Sequence, residues 1–335
     1  MRTPTALAVL ALLAAPAAAR AAQQPIVIKF SHVVATDTPK GLAAVEFKRL
    51  AEQRSGGRVK VEVYPNGQLF KDKEELEALQ MGTVQMLAPS LSKFGPMGVK
   101  DFEAFELPYL FDGYAEMRKI TQGPIGARML KALEPKGMIG LAYWDNGFRE
   151  MTANKPLRSP DDFRGVKMRI VSAKITDAYM RALGALPQVM GFGEVYQAMQ
   201  TGVVDGGENT FSNIYTQKMF EVQKYLTISD HGYLGYAVIV NRQFWEGLPP
   251  DVRTILEGAM RDATAFNNEI AQKENAECLE KVRKAGRTEI ITLTPEQKRA
   301  WKKVLVPVHK RMEHRIGAEL IRDIYRETGF DPSKI

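Results

Sequence analysis

From Met138 to Asn209 short apolar runs alternate with amphipathic stretches, and each run leads into a polar cluster. Lys167-Met168-Arg169-Ile170-Val171 alternates polar and apolar with the period of a strand. Before it, Ser159-Pro160-Asp161-Asp162-Phe163 reads as a helix start, with Ser159 as N-cap and Pro160 where a missing N–H costs nothing; Gly165 stops that turn. After it, Ile175, Ala178, Tyr179, Ala182 and Leu183 make a helical stripe, with Gly184 as the C′ residue. Arg169 is thus expected near the carboxyl end of a strand that feeds a helix, and open α/β sheets bind ligands beyond those ends. A second run, Met138 to Tyr143, ends in Trp144-Asp145-Asn146-Gly147, a turn composition, with Arg149 just after it. In a third unit Val195, Ala198 and Met199 mark a short helix, Gly202 ends it, and Val203-Val204 lead to Asp205-Gly206-Gly207-Glu208-Asn209. Such an alternation restricts the chain to a wound α/β lobe in which three strand ends deliver Arg149, Arg169 and Asn209.

These residue types suit one kind of chemistry. The planar guanidinium fork matches a carboxylate through two parallel hydrogen bonds, and an amide donates a third. The competing reading is a surface ion pair for each arginine. Glu150 adjoins Arg149, Asp161 and Asp162 precede Arg169, and the chain carries 46 basic residues. Asp205 and Glu208 have the makings of an acid/base pair, but the intervening Gly206-Gly207 reads as turn chemistry.

The flanking sequence repeats the strand and helix grammar. Ile26 to Phe30 is a first strand, Ala43, Phe47, Leu50 and Ala51 form a helical stripe ended by Gly56-Gly57, and Val59, Val61 and Val63 alternate as a second strand. Leu76 and Leu79 carry a short helix, and Val84 to Ala88 is another strand, so this part also reads as a mostly parallel α/β lobe. His32 follows the first strand and Ser90 the last, both on loops placed to face a cleft. Lys40, in the loop Thr36 to Gly41 after the first strand, offers a counter-charge for a second carboxylate, or is a solvated loop lysine. Tyr233 to Asn241 reads as a buried strand. From Pro250 to Gly286 the apolar spacing describes one or two long helices, about 50 Å if unbroken. Thr288 to Leu293 reads as a strand, and Thr294-Pro295-Glu296-Gln297 opens a helix with a capping-box pattern.

Met1 to about Ala21 has a basic start, an apolar stretch and small residues suited to cleavage, the layout of a secretory signal peptide. Without it, 46 basic residues become 44 against 39 acidic, a net +5 with the charges interspersed. No basic stripe interleaved with aromatics points to nucleic acid. Cys278 is the one cysteine and falls within a helical pattern, so it forms no internal disulfide. G-x-S-x-G, H-E-x-x-H and G-x-x-x-x-G-K-[ST] are all absent. His309 and His314, five apart, diverge on a helix and make a shared metal unexpected. Neither a metal nor a cofactor is expected.

The segments NGFREMTANKPLRSPDDFRGVKMRI and GEVYQAMQTGVVDGGEN resemble the central signature of the TRAP transporter solute receptors, which hand organic acids to a sodium-coupled membrane transporter. The likeness extends through IVIKFSHVVATDTPKG, VEVYPNGQLFKDKEELEALQMGTVQMLAPSLSKFGP and HGYLGYAVIVNRQFWEGLP, and is greatest to the C4-dicarboxylate receptors of the DctP type. Thr210 departs from the family's usual Pro after the Asn, which predicts a looser turn around Asn209. The resemblance implies an α/β, two-lobed periplasmic binding protein fold with a hinge and a long linking helix. It implies a signal peptide at 1–21, lobe I at 22–146 and 234–274, and lobe II at 147–233 and 275–335. It also implies that a C4-dicarboxylate such as malate, succinate or fumarate is bound by Arg169, Arg149 and Asn209. His32, Ser90 and Lys40 meet the distal carboxylate, and Tyr236 is a further cleft residue by the same resemblance. Phe192 packs on the carbon chain or belongs to the core. The expected product is a periplasmic monomer that delivers its ligand to TRAP membrane subunits. A 2-oxo acid or sugar acid is the alternative ligand; an exported carboxylate-acting enzyme and a sensory receptor are the rivals of other classes.

Overall fold

The computed structural model describes residues 24–335; the expected signal peptide lies outside the described residues. The chain begins with β1 (Ile26–Ser31), α1 (Pro39–Arg54), β2 (Val59–Tyr64), α2 (Glu75–Gln80) and β3 (Met86–Leu87), whose strands pair in parallel. Helices α3 (Tyr114–Thr121) and α4 (Pro124–Lys131) lead to β4 (Met138–Ala153). A second parallel unit follows: β5 (Lys167–Ile170), α5 (Lys174–Ala182), β6 (Leu186–Val189), α6 (Val195–Gln200) and β7 (Gly206–Asn209). The remainder comprises α7 (Phe211–Thr216), β8 (Tyr225–Asn241), α8 (Arg242–Glu246), α9 (Pro250–Ala285), β9 (Glu289–Thr292), α10 (Pro295–Leu305), α11 (Pro307–Ile316) and α12 (Ala318–Thr328).

One mixed sheet has the order β2-β1-β3-β8-β4-β7-β5-β6, with β9 also on β8. The antiparallel pair β4/β8 therefore stands between two parallel α/β units and belongs to both halves of a two-lobed fold. Here the structure corrects the sequence reading. Trp144-Asp145-Asn146-Gly147 is no turn, because β4 runs through it for 16 residues against a 17-residue β8. The register shifts between Asp145 and Gly147 and again between Arg149 and Met151. Glycine and short polar residues serve a bulge as well as a turn, and a bulge re-aims the side chains beside it. Arg149 is accordingly held mid-strand rather than at a strand end. Gly206 and Gly207 are likewise strand residues, not a turn: a Cβ on Gly206 would lie 2.2 Å from the Thr152 carbonyl oxygen of β4.

Helix α9 is a single element of 36 residues, about 50 Å long, packed on α1, β4 and α7 and so on both halves. Gly286 ends it in the left-handed conformation at φ 65°. The Thr294 capping box opens α10. One apolar core lies under α1 and α9, with Phe30, Phe47, Trp144 and Met260; a larger one holds Phe163, Tyr179 and Trp301 beneath the terminal helices. Cys278 is buried in α9, and His309 is bonded to the Pro108 carbonyl and the Tyr325 hydroxyl. Among the described residues no helix is long and apolar enough to cross a membrane.

Candidate functional site

Between the two parallel units lies a cleft with about 480 Å³ of unfilled space, its open mouth included. Lys40, Ser90, Arg149, Arg169, Phe192, Asn209 and Tyr236 all line it. His32 does not: its ring is fully buried outside the lining, and neither nitrogen has a hydrogen-bond partner among the described residues. Burial, with repulsion from Lys40, pushes its imidazolium down to about 3, so it carries no charge toward an acid at neutral pH.

Arg169 leaves the end of β5, and its Nε and Nη2 both donate to the Met190 carbonyl, at 3.2 and 2.9 Å. No carboxylate pairs with it among the described residues. Asp161 pairs with Arg164 and Asp162 caps Ser159, so the local ion pair that competed in the sequence reading does not form. Arg169 as a whole is only 6% exposed, and burial pushes its guanidinium down to about 10 despite Asp72 and Glu208 nearby. A buried cation without a counter-ion is costly and calls for an external anion. Both N–H bonds of Nη1 and one of Nη2 remain for it. Phe192 stands 5.9 Å from the guanidinium carbon and also packs with Val34, Val195 and Met199, so it serves cleft and core together.

Arg149 is committed elsewhere. Nη1 donates to Glu208 Oε1 at 2.6 Å, Nη2 to both oxygens of Glu106 at 2.9 and 3.1 Å, and Nε to the Tyr233 carbonyl at 3.3 Å. Glu150, its local partner in the competing reading, instead accepts from the backbone of Ser229 and Asp230. Glu208 also accepts from Tyr179 and from His231 Nε2 at 2.7 Å. A carboxylate that only accepts requires a proton on His231 Nε2, and Nδ1 lies 2.8 Å from Ser229 Oγ. Burial alone would raise Glu208, but Arg149 and His231 hold it down at about 2. Arg149 borders the cleft as the centre of a buried ion network.

Asn209 ends β7, and its Oδ1 accepts from Thr210 N at 3.0 Å and Asn213 Nδ2 at 2.8 Å. That leaves its amide N–H groups for the cleft. The Thr210 substitution, expected to loosen this turn, supplies a backbone N–H that Pro lacks, and so fixes the amide. Across the cleft, Lys40 is 2% exposed, donates to the Ala88 carbonyl at 2.9 Å and stands 3.8 Å over the Tyr236 ring. Burial pushes its ammonium down to about 7, partly offset by Glu75. Tyr236 accepts from Asn146 Nδ2 at 2.7 Å, and Ser90 bridges Tyr236 through the backbone.

Sequence reasoning missed four polar cleft residues: Asp72, Lys93, Glu208 and Asn213. Asn213 was within reach, since it lies one helical turn beyond Asn209. Asp72 and Lys93 pair at 2.5 Å over a separation that no local pattern reveals.

The profile of the family described as "Bacterial extracellular solute-binding protein, family 7" (DctP) matches residues 30–315. The chain is 62% identical over 305 residues to the C4-dicarboxylate-binding periplasmic protein DctP of Rhodobacter capsulatus, covering 91% of this chain and 92% of that protein. It is 45% identical to the C4-dicarboxylate-binding protein DctB of Bacillus subtilis, over 90% of this chain and 86% of the other. Among solved structures, a TRAP periplasmic solute binding protein from Shewanella oneidensis with bound succinate superposes with a TM-score of 0.89 at 40% identity, covering 91% of this chain and 99% of that one. One from Pseudomonas aeruginosa with bound L-malate has a TM-score of 0.84 at 42% identity, covering 86% and 100%.

Proposed function

The chain belongs to family 7 of the bacterial extracellular solute-binding proteins, the DctP family, and from that premise we propose that it is the extracytoplasmic receptor of a TRAP transporter, binding a C4-dicarboxylate such as succinate, malate or fumarate and passing it to the membrane subunits. It is a receptor and not an enzyme. The observation that carries the ligand reading is Arg169, a buried guanidinium lining the cleft and paired with no carboxylate among the described residues. In this reading Arg169 grips one carboxylate end-on, and the Asn209 amide donates to the same end. Lys40 meets the distal carboxylate beside Ser90 and Tyr236, and Phe192 packs on the carbon chain. Arg149 pairs with Glu208 and Glu106 at the cleft wall instead of contacting the ligand through its fork. Two cations facing each other across a cleft favour a two-ended acid.

Thermal melts of refolded, ligand-stripped protein test this directly. A ligand at 100 times its dissociation constant adds about 2.7 kcal/mol of stability. Succinate, malate or fumarate is expected to raise the melting temperature, and monocarboxylates such as acetate to leave it unchanged. Stabilisation by 2-oxo or sugar acids alone would overturn the C4 assignment.

The Lys40 role makes binding depend on pH. Its free-state pKa of about 7 rises when a dianion arrives, so affinity is full below that value and is lost as pH rises above it. Between about pH 7 and 9 the dissociation constant of succinate is expected to rise toward tenfold per pH unit, with one proton taken up on binding. Calorimetry in two buffers of different ionisation enthalpy reads that proton. A flat affinity over this range, or a Lys40→Met variant with the same slope, would remove Lys40 from the contact set.

A further inference from the structure

The cleft of this anion receptor is bordered by a carboxylate, Asp72, which the ligand reading leaves without a purpose. It lies between β2 and α2 and lines the ligand cleft together with two outer grooves, one beside Leu76 and Val189 and one beside Asn66 and Gly193. Asp72 therefore stands in the wall between bound ligand and solvent. Its Oδ1 is 2.5 Å from Lys93 Nζ, and Lys93 also reaches the Asp72 carbonyl and Glu75 Oε1, the latter at 2.6 Å. These contacts stay within the half of the molecule built on β1 to β3. Oδ2 does not: it accepts from the backbone N–H of Phe192 at 3.2 Å, 120 residues away on the loop after β6. This loop is the one whose Met190 carbonyl receives Nε and Nη2 of Arg169. A continuous path thus runs from the free face of Arg169 through Met190 and Phe192 to Asp72, crossing from one half to the other. The second contact across the cleft here, Lys73 with Glu194 at 3.7 Å, is exposed on both sides and adds little.

A negative group beside an anion's binding site opposes binding unless it is neutralised and gains something by its position. Lys93 supplies the neutralisation, and the bond to Phe192 N supplies the gain. We propose that Asp72 is a positioning residue that latches the closed cleft: it holds the Met190–Phe192 loop, and Arg169 behind it, against the opposite wall without touching the ligand, and so sets the dissociation rate. Ligand held by Arg169 steadies the loop that Asp72 grips, so closure and occupancy reinforce one another.

The proposal rests on the receptor reading, and the experiment separates the two. Stopped-flow release of succinate is measured for wild type, Asp72→Ala, Asp72→Asn and Lys73→Ala. Spin labels on Glu77→Cys and Gln197→Cys report the distance between the halves at saturating succinate. Asp72→Ala is expected to release succinate at least tenfold faster, with an association rate within about threefold of wild type and a broadened distance distribution. Asp72→Asn, which keeps an acceptor for Phe192 N, restores the rate to within about threefold, and Lys73→Ala behaves as wild type. Release from Asp72→Ala at the wild-type rate, or an Asn variant as fast as the Ala variant, overturns the latch while leaving the receptor intact. A wild-type protein that binds no dicarboxylate overturns the receptor reading, and the latch with it.

Discussion

Arg169→Ala is expected to weaken succinate binding by roughly 100-fold or more, while the ligand-free protein stays as stable as wild type or gains. The affinity loss follows from the geometry at the end of β5. Nε and Nη2 are spent on the Met190 carbonyl, and the remaining N–H groups face the cleft. Truncating one member of a buried, hydrogen-bonded charge pair costs about 2–5 kcal/mol, and about 1.4 kcal/mol is tenfold in affinity. The stability result has the opposite sign for the same reason. Burial already pushes the guanidinium down to about 10, so the empty fold holds a charge it would be easier without. Arg169→Lys keeps the charge but loses the planar fork and is expected to remain at least about tenfold weaker than wild type. Calorimetry with succinate and melts of the stripped protein read both halves. An alanine variant with wild-type affinity would show that the anchor lies elsewhere.

Arg169 was legible because it lies near the end of a short strand whose period, and the Gly184 beyond the next helix, are local signals. Asn209 was expected at a strand end, but the strand is Gly206–Asn209 itself, which reads as a turn in the sequence. Local signals also reveal the Thr294 cap and α9, where apolar spacing persists up to Gly286. What the sequence hid is non-local. Trp144 to Gly147 has the composition of a turn, and only pairing with Leu234 to Tyr236, about 90 residues on, makes it a bulged strand. Arg149 beside Glu150 invites a local pair. Yet the bulge after Arg149 lets both residues of the doublet be buried, and Glu106 and Glu208, 43 and 59 residues away, take the arginine. Lys40 reads as a loop lysine until the Tyr236 ring is found beneath it. Strand ends can be read from period, whereas partners brought together by β4 and β8 cannot.

Arg149→Ala is expected to produce the reverse of Arg169→Ala: a ligand-free protein destabilised by about 3–5 kcal/mol. Both arginines line one cleft and both are almost wholly buried, but among the described residues Arg149 alone is bonded to both Glu106 and Glu208. Its removal strands two buried carboxylates, with Thr176 left to Glu106 and with Tyr179 and His231 left to Glu208. For a chain of this size the melting temperature should fall on the order of 5–10 °C. The pH dependence identifies the cause. In wild type Glu208 is held at about 2, below its ordinary value, so its contribution is present above the ordinary carboxylate range and lost only as pH falls toward 2. Without Arg149, burial is the dominant influence and raises Glu208, as it already raises Glu106 with Arg149 in place. A raised acid favours the folded state only while protonated, so the deficit is greatest at neutral pH and shrinks as pH falls toward about 5. Arg149→Lys, a single point charge, cannot serve two carboxylates with a fork it does not have, and should recover only part of the loss. Melts from pH 5 to 8 decide the matter. A deficit that does not vary with pH would assign the loss to packing instead of charge, and a wild-type melting temperature would show that the network carries no stability at all.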